Sequence, residues 1–188
     1  MIKTFHNFKE LRVINDSDLK QLKNLYRSIE TEHCHEDYNL HFVEKKSVGN
    51  GNQNHPIIKK INQYMIDNEG LGPHVHYFLR YNPWSWTRMH QDNKGTVTKT
   101  LITFIETSDD LVGGDTIVYD RHYDLPPPEG HTVKRTRSIH KENVVPVVAN
   151  HKAGASVLYS WNVSHGVSMV RRGHRIVLVS WFVPLKRK

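Results

Sequence analysis

Hydrophobic periodicity changes character at Gly72, and that change constrains the fold more than any other feature of the chain. Before it, Leu19, Leu22, Leu25, Tyr26 and Ile29 recur at helical spacing within Asp16 to Glu30, where Asp16 or Ser17 can serve as the cap. Pro56 to Asn68 repeats the pattern with Ile57, Ile58, Ile61, Tyr64 and Met65 facing inward. Pro56 stands in its first turn and Gly70 follows its end. After Gly72 the chain breaks into short β-rich runs: His76 to Tyr81, Thr98 to Ile105, Thr116 to Tyr119, Val144 to Val148, Ser156 to Trp161 and Arg175 to Val183. Gly, Pro, Asn or Asp punctuates the gaps. Two helices followed by such strands predict an α+β fold, with the helices packed on an antiparallel β-sandwich or barrel.

A chain of 188 residues fits one domain with a substantial core, so the reading is a single domain over 1–188. Within it, 1–72 is a helical support region, 73–184 a β core, and 120–143 a mobile flap, because that stretch combines a triple proline with much charge. No run is apolar enough to span a bilayer. The amino-terminal MIKTFHNFKELR has no hydrophobic signal core, and Cys34 is the only cysteine. Intramolecular disulfides and cysteine-rich zinc sites are excluded, and an intracellular, cytoplasmic location is expected. A net charge of +7 would help draw in an acidic partner, whether nucleic acid, an acidic peptide or a small dianion. The basic residues are spread along the chain, with local concentrations at Lys134 to Lys141 and Lys186 to Lys188. The first of these reads either as a solvated flap face or as a clamp on an acidic peptide or a nucleic-acid backbone.

Chemistry enters through histidine. Chance pairing of 14 histidines with ten aspartates gives fewer than one His-x-Asp pair, and three occur: His35/Asp37, His90/Asp92 and His122/Asp124. Context separates them. His35/Asp37 lies near a polar loop, and His122/Asp124 lies in the proline-rich stretch, where no rigid strand would hold ligands. His90/Asp92 follows a β-rich run and a Tyr81-Asn82-Pro83 turn; in an extended segment residues two apart point to the same side, toward one ion. His165 qualifies as a third ligand: it follows the apolar strand GASVLYSW and precedes a turn at Arg171-Arg172-Gly173. The returning strand carries Arg175 on the parity of Val177, Val179 and Trp181. Two imidazoles and one carboxylate on one face of a metal form the ligand set of non-haem Fe(II) oxygenases. A guanidinium beyond that face could hold the far carboxylate of a dicarboxylic co-substrate.

Four segments in order resemble a known family. YNPWSWTRMHQD is similar to a Tyr-x-Pro-(…)-His-x-Asp segment. LVGGDTIV is similar to a Gly-Gly-Glu-Thr strand, with Asp115 in the Glu position. HKAGASVLYSW resembles the strand leading to a distal histidine, and HGVSMVRRGHRIVLVSWF resembles a His-x-Val-(…)-Gly-x-Arg-(…)-Trp-aromatic ending. The family is the Fe(II)- and 2-oxoglutarate-dependent dioxygenases, in their prolyl 4-hydroxylase-like branch, and the resemblance covers Val75 to Val183. It implies a double-stranded β-helix (jelly-roll) core with the amino-terminal helices packed on one sheet. It implies Fe(II) held by His90, Asp92 and His165, and 2-oxoglutarate paired through its C5 carboxylate with Arg175. Tyr81 matches a tyrosine that hydrogen-bonds the co-substrate, Trp181 matches an aromatic of the same pocket, and ascorbate is an implied auxiliary. Two positions depart from the pattern. Trp84 stands where a glycine is usual, and Glu106-Thr107 stands where an aromatic-Leu pair lines the pocket in relatives.

The implied activity is hydroxylation of an unactivated C–H in a peptidyl residue, foremost proline, with succinate and CO2 as co-products. A nucleic-acid base is an alternative substrate supported only by the +7 charge; Trp181-Phe182 stands where such enzymes carry a second arginine. A free amino acid or other small metabolite is a third substrate class. A non-catalytic β-barrel binding module is the reading from a different class, and the triad with Arg175 weighs against it. Of the remaining features, at least two of Trp84, Trp86 and Trp161 are expected in the core. His74 and His76 lack a companion carboxylate and are expected to be structural.

Overall fold

The computed structural model describes residues 3–4, 7–35, 39–49, 51–92, 95–121, 144–149 and 151–185. Of the stretch read as a flap, Asp120 and Arg121 close a strand. The rest, with Lys134 to Lys141 and His122/Asp124, lies outside the described residues, as do Asp37 and Lys186 to Lys188.

Both helices form where their periodicity places them. α1 spans Asp16–Ser28 and α2 spans Pro56–Glu69. The cap of α1 is Asn15, one residue earlier than expected. Its side chain accepts from the Asp18 amide at 2.8 Å, while the Asp18 carboxylate accepts from the Asn15 amide at 2.9 Å, a reciprocal box that satisfies two orphan donors. α2 begins at Pro56 and ends at Gly70, whose φ of 66° suits a residue without Cβ. No helix among the described residues is long and apolar enough to cross a membrane.

The strands are β1 (Lys3–Thr4), β2 (Phe8–Leu11), β3 (Glu32–His35), β4 (Leu40–Ser47), β5 (Leu71–His90), β6 (Lys99–Thr107), β7 (Thr116–Arg121), β8 (Val144–Val148), β9 (Ser156–Ser160), β10 (His165–Val167) and β11 (Arg175–Pro184). The region before Gly72 is therefore more than a helical support, since it supplies four strands besides the helices. Pairing runs β1-β2-β9-β6-β11-β5-β10-β7-β8, with β4 on the other edge of β5 and β3 beyond it, and each pairing is antiparallel. β5 explains how this sheet curls. Its first half pairs with β11 from Leu71 to Tyr81, and its end pairs with β10 at Thr87 and His90. One strand thus serves both walls of a double-stranded β-helix, the expected architecture.

Tyr81-Asn82-Pro83, expected as a turn, lies inside β5 where the strand passes between the walls. Proline is tolerated there because the ladder slips: pairing with β4 shifts between His41 and Val43. Trp84 takes φ 74° and Phe42 φ 53° at this slip, and both side chains are more than half exposed. Trp86 stacks on His41 with ring centroids 3.9 Å apart and is half-buried, as is Trp161. None of the three tryptophans is a core residue, contrary to expectation; Phe78, Phe104 and Phe182 fill the core instead.

Period-two alternation divides the core. Ile176, Leu178 and Phe182 of β11 join Phe78, Leu101, Ile105 and Leu158 against the apolar stripes of α1 and α2. Val177 and Val179 point the other way, with Leu79, Tyr81, Ile102 and Phe104, into the space between the walls. His76 pairs with Ser180 on the helix-facing side, where its Nδ1 lies 2.8 Å from the hydroxyl, the structural role expected of it.

Candidate metal centre

The register of β5 against β10 sets His165 opposite His90, and their ring centroids lie 4.3 Å apart. Each imidazole is oriented from behind. His90 Nδ1 sits 2.7 Å from the Arg88 carbonyl, and His165 Nδ1 sits 3.0 Å from the Val163 carbonyl. A carbonyl only accepts, so each Nδ1 carries the proton and each Nε2 presents a lone pair. Asp92, two residues beyond His90, is buried. Its Oδ1 lies 4.0 Å from His90 Nε2, and its Oδ2 accepts the Thr100 hydroxyl at 2.5 Å. One ligand atom from each of His90, Asp92 and His165 falls within 4.8 Å of the others, and no other group of three or more His, Cys, Asp or Glu does so among the described residues. Burial, then the neighbouring His90, holds the His165 imidazole below its ordinary pKa, in the neutral form a metal requires.

Arg175 opens β11, opposite Tyr81 on one side and Thr107 on the other. Its side chain is fully buried, with the guanidinium 4.7 Å over the Tyr81 ring and 5.3 Å over Phe104. Nη1 donates to the Gly114 carbonyl and to Thr116 Oγ1, the latter at 2.8 Å. Nε and Nη2 are buried without any partner, and no carboxylate pairs with this guanidinium among the described residues. Gly114, next to Gly113, packs against the Arg175 side chain. Both glycines have φ above 70°, and a Cβ on Gly114 would stand 3.4 Å from Arg175 Cδ and 2.9 Å from Val170 Cγ2. A buried cation with two unused N–H groups on one edge fits a carboxylate in both charge and geometry.

His90, Asp92, His165, Arg175, Tyr81 and Trp181 all line one cavity of about 340 Å³. The Tyr81 hydroxyl shares a 2.8 Å hydrogen bond with Thr87, and Trp181 meets the Tyr77 ring edge to face at 5.5 Å. Glu106 and Thr107 do not line this cavity. Glu106 turns to Lys23 at 3.3 Å and His174 at 2.9 Å, so that departure bears on the outer surface. Residues that no motif singled out also line it, among them Thr100, Tyr159 and Lys45. The Tyr159 ring lies 4.4 Å from the His165 ring, tilted 40° to it. Burial and then the Asp92 charge push its hydroxyl well above the usual range, so it stays protonated.

No protein-family model and no curated protein matches the chain. Solved structures do. A prolyl-4-hydroxylase from Pseudomonas putida superposes with a TM-score of 0.67 at 14% identity, over 96% of this chain and 94% of that one. An oxidoreductase of the 2OG-Fe(II) oxygenase family from Burkholderia pseudomallei gives 0.65 at 15% identity, over 94% and 84%. The fold is that of the 2OG-Fe(II) oxygenases. The non-haem α-ketoglutarate-dependent epimerase SnoN, from nogalamycin biosynthesis, gives 0.66 at 11% identity over 95% and 79%, so the same fold carries more than one reaction.

Proposed function

We propose that this protein is an Fe(II)- and 2-oxoglutarate-dependent dioxygenase. The observation that carries the reading is the pairing, in one cavity, of a two-His-one-carboxylate cluster with a buried arginine whose Nε and Nη2 have no partner among the described residues. In this reading His90, Asp92 and His165 hold the iron, Arg175 grips the C5 carboxylate of 2-oxoglutarate, Tyr81 contributes a hydroxyl, and Trp181 closes one side. Iron with 2-oxoglutarate and O2 supplies the oxidising power to hydroxylate an unactivated C–H, with succinate and CO2 as co-products. The residues do the rest. Thr100 fixes the Asp92 carboxylate, the Arg88 and Val163 carbonyls fix the imidazoles, and the apolar walls at Val177 and Val179 exclude water.

The substrate we favour is a prolyl residue of a peptide or protein. Support comes from the motif order and from the near full-length likeness to the Pseudomonas putida prolyl-4-hydroxylase. A small metabolite is the second reading, favoured by the likeness to SnoN, an epimerase from nogalamycin biosynthesis. The test is anaerobic titration of Fe(II) and then 2-oxoglutarate, followed by calorimetry and by visible charge-transfer absorption. His90→Ala is expected to abolish metal binding. Arg175→Ala is expected to keep iron and weaken 2-oxoglutarate about 100-fold, the loss of two charge-assisted hydrogen bonds. No absorption in the wild type would sink the dioxygenase reading, and equal loss of iron and 2-oxoglutarate in Arg175→Ala would sink the role given to Arg175.

A further inference from the structure

Two adjacent lysines on β4 have opposite fates. Lys46 faces α1, where its Nζ donates to the Tyr26 and Ile29 carbonyls at 3.1 and 2.8 Å and lies 4.3 Å over the Tyr26 ring. That ammonium is spent on the end of the helix. Lys45 pairs in register with Leu79 and so faces the other way, onto the cavity that holds the metal cluster and Arg175. Its Nζ lies 4.9 Å over the Tyr77 ring, which in turn meets Trp181, and it has no carboxylate partner among the described residues. Lys45, Tyr77 and Trp181 form one continuous strip of the cavity wall across β4, β5 and β11.

Charge balance gives the strip a purpose. Apart from the histidines, the cavity's charged side chains are Lys45, Asp92 and Arg175. Under the dioxygenase reading, on which this step rests, a divalent iron and Arg175 balance Asp92 and the dianionic co-substrate. One cation is left over, and it is Lys45. An ammonium partly withdrawn from water favours an anion that can supply a charge-assisted hydrogen bond. We infer that Lys45 is a specificity-determining residue that binds a carboxylate of the primary substrate, with Tyr77 and Trp181 contacting the adjoining apolar part. The carboxylate belongs either to a small molecule or to an acidic side chain next to the target residue of a peptide.

Matched probes test this. N-acetyl-L-proline and N-acetyl-L-prolinamide differ only in the carboxylate, as do capped Glu-Pro and Gln-Pro peptides. Binding of each is measured anaerobically by calorimetry on the wild-type protein loaded with Fe(II) and 2-oxoglutarate, and on Lys45→Met and Lys45→Arg, with circular dichroism to confirm folding. The wild type is expected to prefer the carboxylate member of one pair about tenfold, the effect of one charge-assisted contact. Lys45→Met is expected to erase the preference and Lys45→Arg to keep it, with 2-oxoglutarate affinity unchanged in both. The pair that shows the preference tells a small molecule from a peptide. A wild type with no carboxylate preference, including one that binds no probe, overturns the inference. So does a preference that survives Lys45→Met, or a loss that falls on 2-oxoglutarate instead. Loading with iron and 2-oxoglutarate is measured first on the same wild-type sample, so failure of the dioxygenase reading registers separately.

Discussion

The two faces of β11 solve opposite problems with the same ten residues. Toward the helices, Ile176, Leu178 and Phe182 are buried among side chains that ask nothing of water, and the one polar position, Ser180, is paired with His76. Toward the cavity, Val177 and Val179 lie between Arg175, whose buried Nε and Nη2 are unmatched among the described residues, and Trp181, which rims the pocket. The first face is finished and the second is waiting. A buried charge whose N–H groups are only partly matched costs stability, and the co-substrate role proposed for Arg175 accounts for that cost on a strand that otherwise packs efficiently.

A matched pair of substitutions tests that division most severely. Phe182→Ala on the helix side removes a fully buried aromatic from a close-packed cluster. It is expected to lower unfolding free energy by about 3–5 kcal/mol, read by urea denaturation. Arg175→Met on the cavity side trades an unmatched charge for an apolar side chain of similar reach. Stability within about 1 kcal/mol of the wild type, or above it, is expected there, because relief of the buried charge offsets the missing hydrogen bonds to Gly114 and Thr116. A loss from Arg175→Met as large as that from Phe182→Ala would mean the arginine is a structural member of the core, and the comparison would fail.

His76 is the exception on the finished face and sets a pH dependence. Burial lowers its pKa from 6.5 to about 4, and its Nε2 has no partner among the described residues. The folded value is depressed, so the unfolded chain takes up the proton first as pH falls. Stability from this group is complete above about pH 6.5, declines through the window down to about pH 4, and is gone below it. The expected loss is about 2 kcal/mol between pH 7.5 and pH 5. Urea titrations at the two pH values, on the wild type and on His76→Gln, check it; a slope that persists in His76→Gln would assign the effect to other groups.

What the sequence disclosed follows from which elements obey a simple period. β6, β7, β9 and β11 stand out as short runs rich in β-branched and apolar residues between turn residues, and the parity that puts Arg175 with Val177, Val179 and Trp181 is legible in the residue order alone. β4 is not, because Glu44, Lys45, Lys46 and Ser47 look like a solvated loop, whereas the strand uses Lys46 on the helix side and Lys45 on the cavity side. β10 is three residues long and carries too little pattern to read. Asn82 and Pro83 punctuate what is one 20-residue strand, since breaker residues also occur where a strand changes partners. His90, Asp92 and His165 stand out by residue type. Thr100 and Tyr159 are ordinary strand residues one at a time; they matter because the register sets them opposite each other, beside Asp92 and His165.

The slip that hides β5 also yields the smallest expected effect. Trp84 holds φ 74°, a region that costs an L-residue about 1–2 kcal/mol and costs glycine little. Its side chain is mostly in solvent, at 66% exposure for the residue, so truncation removes little packing. Its amide donates to the Val170 carbonyl at 2.7 Å, a bond glycine keeps. Glycine returns part of the gain, because it makes the unfolded chain more flexible by about 0.5–1 kcal/mol. Trp84→Gly is therefore expected to leave stability unchanged or raise it by less than about 1 kcal/mol, measured as the shift in Tm. Gly173 reaches a similar φ of 73°, but there a Cβ would stand 2.3 Å from Ser108 Oγ, so the turn itself demands the glycine. At Trp84 the backbone would welcome glycine and the chain keeps a large exposed aromatic. A clear drop in Tm for Trp84→Gly would show that the ring packs against the fold and contributes to it; an unchanged Tm would leave the ring free for a surface role that stability does not explain.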